Sequence, residues 1–88
     1  MKVFQGNVID WKRSKEPHHG QCRAVIGAKN QKEAHAILCK SDHPASLYYF
    51  RNYWTETGNA AQIAAATKHP GKLLLSSSLM LDDYEPVR

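Results

Sequence analysis

The stretch that decides the architecture is Asp42-His43-Pro44-Ala45-Ser46-Leu47-Tyr48-Tyr49-Phe50-Arg51-Asn52-Tyr53-Trp54-Thr55. Five of the chain's eight aromatic residues, Tyr48, Tyr49, Phe50, Tyr53 and Trp54, lie within it. Whatever element they form supplies a large share of the apolar surface available for a core. Asp42 followed two positions later by Pro44 suits a helix start, because proline's fixed φ and missing N–H are tolerated in the first turn. Leu47, Phe50 and Trp54 then recur at i, i+3 and i+7, the spacing of one helical face. The spacing predicts an aromatic helix running to about Thr55, with Phe50 and Trp54 inward and Tyr48, Tyr49 and Arg51 nearer solvent.

Upstream of this segment, residues 3–11 carry Val, Phe, Ile and Trp, and residues 21–28 place Cys22, Ala24, Ile26 and Ala28 on one face and Arg23, Val25 and Gly27 on the other. Both read as strands. The polar stretch 12–20, with Pro17 and Gly20, reads as a loop joining an antiparallel pair. Asn30 with Glu33 three positions on resembles a capping box, after which Ala34, Ile37 and Leu38 form an apolar stripe as far as Ser41. Downstream, Gly58 suits a left-handed helix C-terminus, and Asn59 with Gln62 repeats the capping pattern ahead of an alanine-rich helix over residues 60–68. Pro70 disfavours helix at His69 and ends it. Residues 72–75, extending toward 81, read as a last strand. The expected fold is α+β: an antiparallel strand pair, three short helices on one face of the sheet, and a final strand. Residues 1–81 form one compact domain and 82–88 a flexible acidic tail.

Length and composition agree with a single core. A chain of 88 residues and 9.9 kDa has too little buried surface for two cores. Its 42% apolar and 23% charged residues fall in the globular range, which argues against disorder and fibrous repeats. No apolar run approaches the roughly 18 residues of a membrane span, and no secretory leader is visible at the N-terminus. Two cysteines, Cys22 and Cys39, are too few for a disulfide framework and read as free thiols. These features point to the cytoplasm. The net charge is +4 and is unevenly spread: residues 1–80 hold eleven bases and five acids, whereas Asp82, Asp83 and Glu85 against Arg88 leave the last residues net negative. A basic body suits a polyanionic partner.

Two clusters carry candidate chemistry. Lys12, Arg13 and Lys15, with His18 and His19 in the same loop and Arg23 just inside the second strand, form a basic arm of the kind that neutralises phosphates. Tyr48, Tyr49, Arg51 and Asn52 form the second cluster. Tyr and Arg favour protein interfaces, aromatic rings stack on bases, and Arg and Asn match the edges of guanine and adenine. His35, Cys39 and His43 stand at i, i+4 and i+8, but a helix break at Ser41 and Asp42 separates the third from the first two, so no metal site is expected. There is no Gly-x-Ser-x-Gly elbow and no phosphate-binding Gly-x-x-x-x-Gly-Lys loop. The acids are scattered. The chain therefore reads as non-enzymatic and without a cofactor.

Glu33, Ala34, Ile37 and Leu38, followed by Leu47, Phe50, Arg51 and Tyr53, resemble the helix-turn-helix of mercury-resistance-type regulators, with a longer link over residues 39–46. That resemblance implies a supporting helix at 33–39 and a recognition helix at 46–53 in the major groove. The run Tyr53-Trp54-Thr55-Glu56-Thr57-Gly58-Asn59, with Ala65 or Ala66 and then His69-Pro70-Gly71-Lys72, is similar to a group of small proteins of bacteriophages and mobile elements. This second resemblance implies a bacterial host cytoplasm. The leading expectation is a DNA-binding protein, possible as a homodimer, with Lys12, Arg13, Lys15 and Arg23 on phosphates and Tyr49, Arg51 and Asn52 in closer readout. The rival is a protein-binding inhibitor of a host nucleic-acid-processing factor, an antidefence protein that blocks a nuclease or its DNA channel through Tyr48, Tyr49, Asp82 and Asp83.

Overall fold

The computed structural model describes residues 1–10, 21–41, 47–77 and 82–86. Among these residues five strands and two helices follow one another as β1 (Lys2–Asp10), β2 (Gln21–Ala28), α1 (Gln31–Cys39), β3 (Leu47–Glu56), α2 (Ala60–Lys68), β4 (Leu74–Leu75) and β5 (Glu85–Pro86). The strands form one sheet in the order β3-β1-β2-β4-β5, and every neighbouring pair is antiparallel.

This corrects the expected three helices and strand pair. The aromatic segment is β3, an edge strand, so among the described residues the expected recognition helix over 46–53 is replaced by a strand from Leu47. Three positions at i, i+3 and i+7 are too few to separate a helical from an extended pattern. The composition of the strand separates them better, since Tyr, Phe, Trp and Thr fit a pleated surface, and Ala, Lys and Met are absent from Leu47–Glu56. The sheet also needs this strand. Phe4 and Val8 bury their side chains along β1, at 4% and 0% exposure, and the backbone beside them requires partners on both sides. β2 supplies one side, from Lys2↔Ala28 to Ile9↔Gln21. β3 supplies the other, from Phe4↔Glu56 to Asp10↔Leu47.

The helices lie on opposite faces of the sheet, not on one. Cys22, Ala24, Ile26 and Ala28 of β2 join Phe4, Val8, Trp54, Leu73 and Leu75 in a core closed by Ala34 and Leu38 of α1. Val25 of the same strand joins Val3, Leu74 and Tyr84 in a smaller core closed by Ala66 of α2, with Ala65 packed against it. Successive strand residues point to opposite faces, so one strand serves two cores. Each side chain of the size of Ile26 or Leu74 that is fully buried contributes about 1.5–3 kcal/mol.

The expected caps form. Asn30 Oδ1 accepts from the Glu33 backbone N–H at 2.8 Å, and Glu33 Oε1 accepts from the Lys29 N–H at 3.4 Å. Asn59 Oδ1 accepts from the Gln62 N–H at 3.0 Å. At the far end of α2 the His69 N–H bonds the Ala65 carbonyl at 3.0 Å, and Gly71 takes a φ of +71° that a residue with a Cβ rarely adopts. Gly58 ends no helix, because a strand precedes it.

The last described residues are bound into the domain. Tyr84 is buried, and Glu85–Pro86 pairs with β4 through Leu74↔Pro86 and Leu75↔Glu85. Of the tail expected over residues 82–88, the described residues 82–86 lie against the domain, with Glu85–Pro86 as the short strand β5.

Candidate nucleic-acid interface

The β1–β2 ladder runs to Ile9↔Gln21, and Lys12, Arg13 and Lys15 fall in sequence between the two strands. Those three residues, with His18 and His19, lie outside the described residues, as do His43 and Pro44. The start of β3 reaches the same end: Leu47 stands opposite Asp10, Tyr48 opposite Ile9 and Tyr49 opposite Val8. Val8 in turn pairs with Cys22, and Asn7 with both Phe50 and Arg23. Adjacent rows of the sheet therefore bring Tyr49, Phe50 and Arg23 to within two strand spacings, roughly 10 Å. These residues are distant in sequence, and the topology gathers them.

Arg51 and Asn52 occupy an irregular part of β3. Between Gln5↔Thr55 and Asn7↔Phe50, two steps along β1 correspond to five along β3, so residues 51–54 stand opposite Gly6. The excess lets the strand bulge away from strict pairing. The expected readout residues consequently sit on an irregular edge strand and not on a recognition helix. Beyond the bulge, the Trp54 side chain returns to the core at 3% exposure, and the Trp54 carbonyl accepts from Gln31 Nε2 at 2.6 Å.

Arg23 is half-buried, and its surroundings are polar. Its backbone N–H donates to Ser76 Oγ at 3.0 Å, while its carbonyl accepts from the Ser76 N–H at 3.0 Å, which prolongs the β2–β4 ladder. Arg23 Nη1 lies 3.9 Å from Asp82 Oδ1, with about half of the Asp82 side chain exposed. Asp82 Oδ1 also accepts from the Tyr84 hydroxyl at 3.1 Å. The Tyr84 oxygen accepts in turn from Gln62 Nε2 at 3.0 Å, and the same amide donates to Gln5 Oε1 at 3.0 Å. A polar chain thus runs Gln5–Gln62–Tyr84–Asp82–Arg23 across the α2 face. Asp83 accepts from the Ser77 backbone N–H at 3.0 Å and from the Ser77 hydroxyl. Sequence reasoning missed this network. Gln62 reads from the sequence only as a capping residue, and Tyr84 lies in a stretch otherwise dominated by acids.

The opposite end of the sheet holds an open cleft of about 400 Å³ lined by Lys2, Phe4, Asn30, Gln31, Lys32 and Glu56. Lys2 Nζ and Glu56 Oε1 approach to 3.8 Å across it, both well exposed. None of the candidate binding residues named from the sequence lines this cleft. On the outer face of α1, Cys39 Sγ and His35 Nε2 are 3.6 Å apart, the i, i+4 contact expected of a helix. Among the described residues no group of three His, Cys, Asp or Glu side chains is placed to hold a metal ion. Nor, among them, is any helix long and apolar enough to cross a membrane.

Compared with protein-family models, with curated proteins and with solved structures, the chain has no match. The functional reading therefore rests on its own residues.

Proposed function

We propose that the protein is a non-enzymatic nucleic-acid-binding protein that grips duplex DNA at the end of the sheet from which the β1–β2 connection departs. The observation that carries this reading is the register. It brings the ends of β1 and β2, between which Lys12, Arg13 and Lys15 fall in sequence, to the same end of the sheet as the first residues of β3, with Arg23 two rows further in. Phosphate contacts from Lys12, Arg13, Lys15 and Arg23 supply affinity. Tyr49, Arg51 and Asn52 contribute closer contacts from the edge strand, in the manner of a sheet reader and not of a recognition helix. Arg23 needs only to exchange Asp82 for a phosphate. That exchange is inexpensive, because a partly exposed ion pair contributes about 0–1 kcal/mol.

The inhibitor reading has less support. Two of its four contact residues, Asp82 and Asp83, already bond Tyr84 and Ser77 within the chain.

The test is fluorescence anisotropy with a labelled duplex. Four phosphate contacts give a log–log salt slope near −3.6, a loss of about a hundredfold in affinity between about 50 and 200 mM salt. Replacing Lys12, Arg13 and Lys15 together by alanine should bring the slope to about −1. No binding at the lower salt, or an unchanged slope in the triple variant, would overturn the proposal.

A further inference from the structure

Zinc chemistry sets a geometric standard that the outer face of α1 meets. Helical spacing brings residues four apart to one face, a turn above each other. His35 and Cys39 stand at that spacing, both exposed, with Cys39 Sγ 3.6 Å from His35 Nε2. A tetrahedral zinc ion bonded to sulfur at about 2.3 Å and to imidazole nitrogen at about 2.0–2.1 Å holds those two atoms about 3.5–3.6 Å apart. The pair therefore already has the separation of two corners of a zinc tetrahedron, and α1 need not rearrange for an ion to bridge it. In the metal-free protein the same separation serves a hydrogen bond between the thiol and the ring.

We propose that His35 Nε2 and Cys39 Sγ chelate a zinc-class divalent ion, with water in the remaining positions. The donor set selects the metal, because thiolate with imidazole suits Zn²⁺ whereas Mg²⁺ and Ca²⁺ take oxygen. The ion replaces the thiol proton, which passes to solvent, so that a thiolate meets part of its charge. Position on the helix adds to this. Cys39 is the last residue of α1, whose last turn contains no basic side chain, and the carbonyl end of a helix favours a cation. Lys32 and Lys40 flank the pair and oppose a cation, but both are exposed, where salt screens their charge. The sequence argument against a metal counted three ligands on one helix. Two from one helix hold an exchangeable ion, which fills and empties with the free concentration and is not required for folding. When bound, the ion ties together the second half of α1, the part that brings Leu38 to the larger core beside Ala34. Zinc binding is thereby linked to the stability of the folded chain.

This inference does not rest on DNA binding and is tested without DNA. Cobalt(II) is the probe for the reduced full chain, because cobalt bound to a thiolate gains a charge-transfer absorption that the hydrated ion lacks. Wild type should show that absorption, and zinc should abolish it by displacement. Cys39→Ala should remove it. His35→Ala should weaken cobalt binding at least about tenfold, since even a partner outside the ligand shell is worth about 10–100-fold. Both replaced side chains are exposed and alanine favours helix, so both variants should fold, which circular dichroism checks. Zinc should raise the Tm of wild type and leave that of each variant unchanged. Absence of the thiolate absorption in wild type with cobalt in large excess would overturn the proposal. So would its persistence in Cys39→Ala, or an unchanged affinity in His35→Ala.

Discussion

The two faces of the sheet close by different means, although both depend on β2. On the α1 face, Phe4, Val8, Ile26, Trp54 and Leu75 meet Ala34 and Leu38 in an apolar core. On the α2 face the apolar set is smaller, Val3, Val25, Leu74 and Ala66, and a polar wedge of Gln62 and Tyr84 completes it. Gln62 is almost fully buried, and its Oε1 has no hydrogen-bond partner among the described residues. An unmet buried acceptor costs about 1–3 kcal/mol. The α1 face therefore supplies stability by area. The α2 face exchanges some of it for a polar chain that fixes residues 82–86 and places Asp82 beside Arg23.

Leu74 and Leu75 give the strongest test of this contrast, since they are adjacent, chemically identical and buried on opposite faces. Each leucine-to-alanine change should cost about 2–5 kcal/mol in urea denaturation. A loss below about 1 kcal/mol at Leu74 alone would break the claim that the α2 face is a closed core. A smaller effect is expected at Tyr84. Tyr84→Phe keeps the ring but removes the hydroxyl that joins Gln62 to Asp82, and should cost about 1–2 kcal/mol. Hydrogen exchange should then speed up in residues 82–86 and stay unchanged in α1. Equal acceleration on both faces would show that the polar chain does not act locally. The smallest effect belongs to Asp82→Asn. Its pair with Arg23 is long and partly exposed, so stability should change by no more than about 0.5 kcal/mol. If the DNA proposal holds, duplex affinity should rise modestly as Arg23 is freed, and Glu85→Gln, which changes the charge equally without touching Arg23, should raise it less.

Much of this fold is visible in the residues. The alternation along Gln21–Ala28, the Asn30 and Asn59 caps and the Pro70-Gly71 stop mark β2, α1 and α2 close to where they lie. The two-sided burial also leaves a trace, because Ala24, Val25, Ile26, Gly27 and Ala28 form a continuous apolar run with no polar face, typical of a strand covered on both sides. β3 was not legible from spacing. Leu47, Phe50 and Trp54 satisfy a helical period, and the bulge at residues 51–54 breaks the strand's period of two. Tyr84 was not legible either, since its burial depends on Gln62 and Leu74, both remote in sequence. Of the candidate site, the sequence supplies the charges, while the placement of Arg23 across β1 from Phe50 depends on register and appears only in three dimensions.

The interface, the edge and the two-faced sheet all depend on residues 47–56 being a strand paired with β1, and backbone NMR tests that assignment directly. Extended Cα and Cβ shifts over residues 47–56, with cross-strand contacts from Tyr49 to Val8 and from Thr55 to Gln5, are the predicted result. Helical shifts with i to i+3 contacts over residues 47–54 would contradict it, and with it the placement of Tyr49, Arg51 and Asn52 on an edge strand.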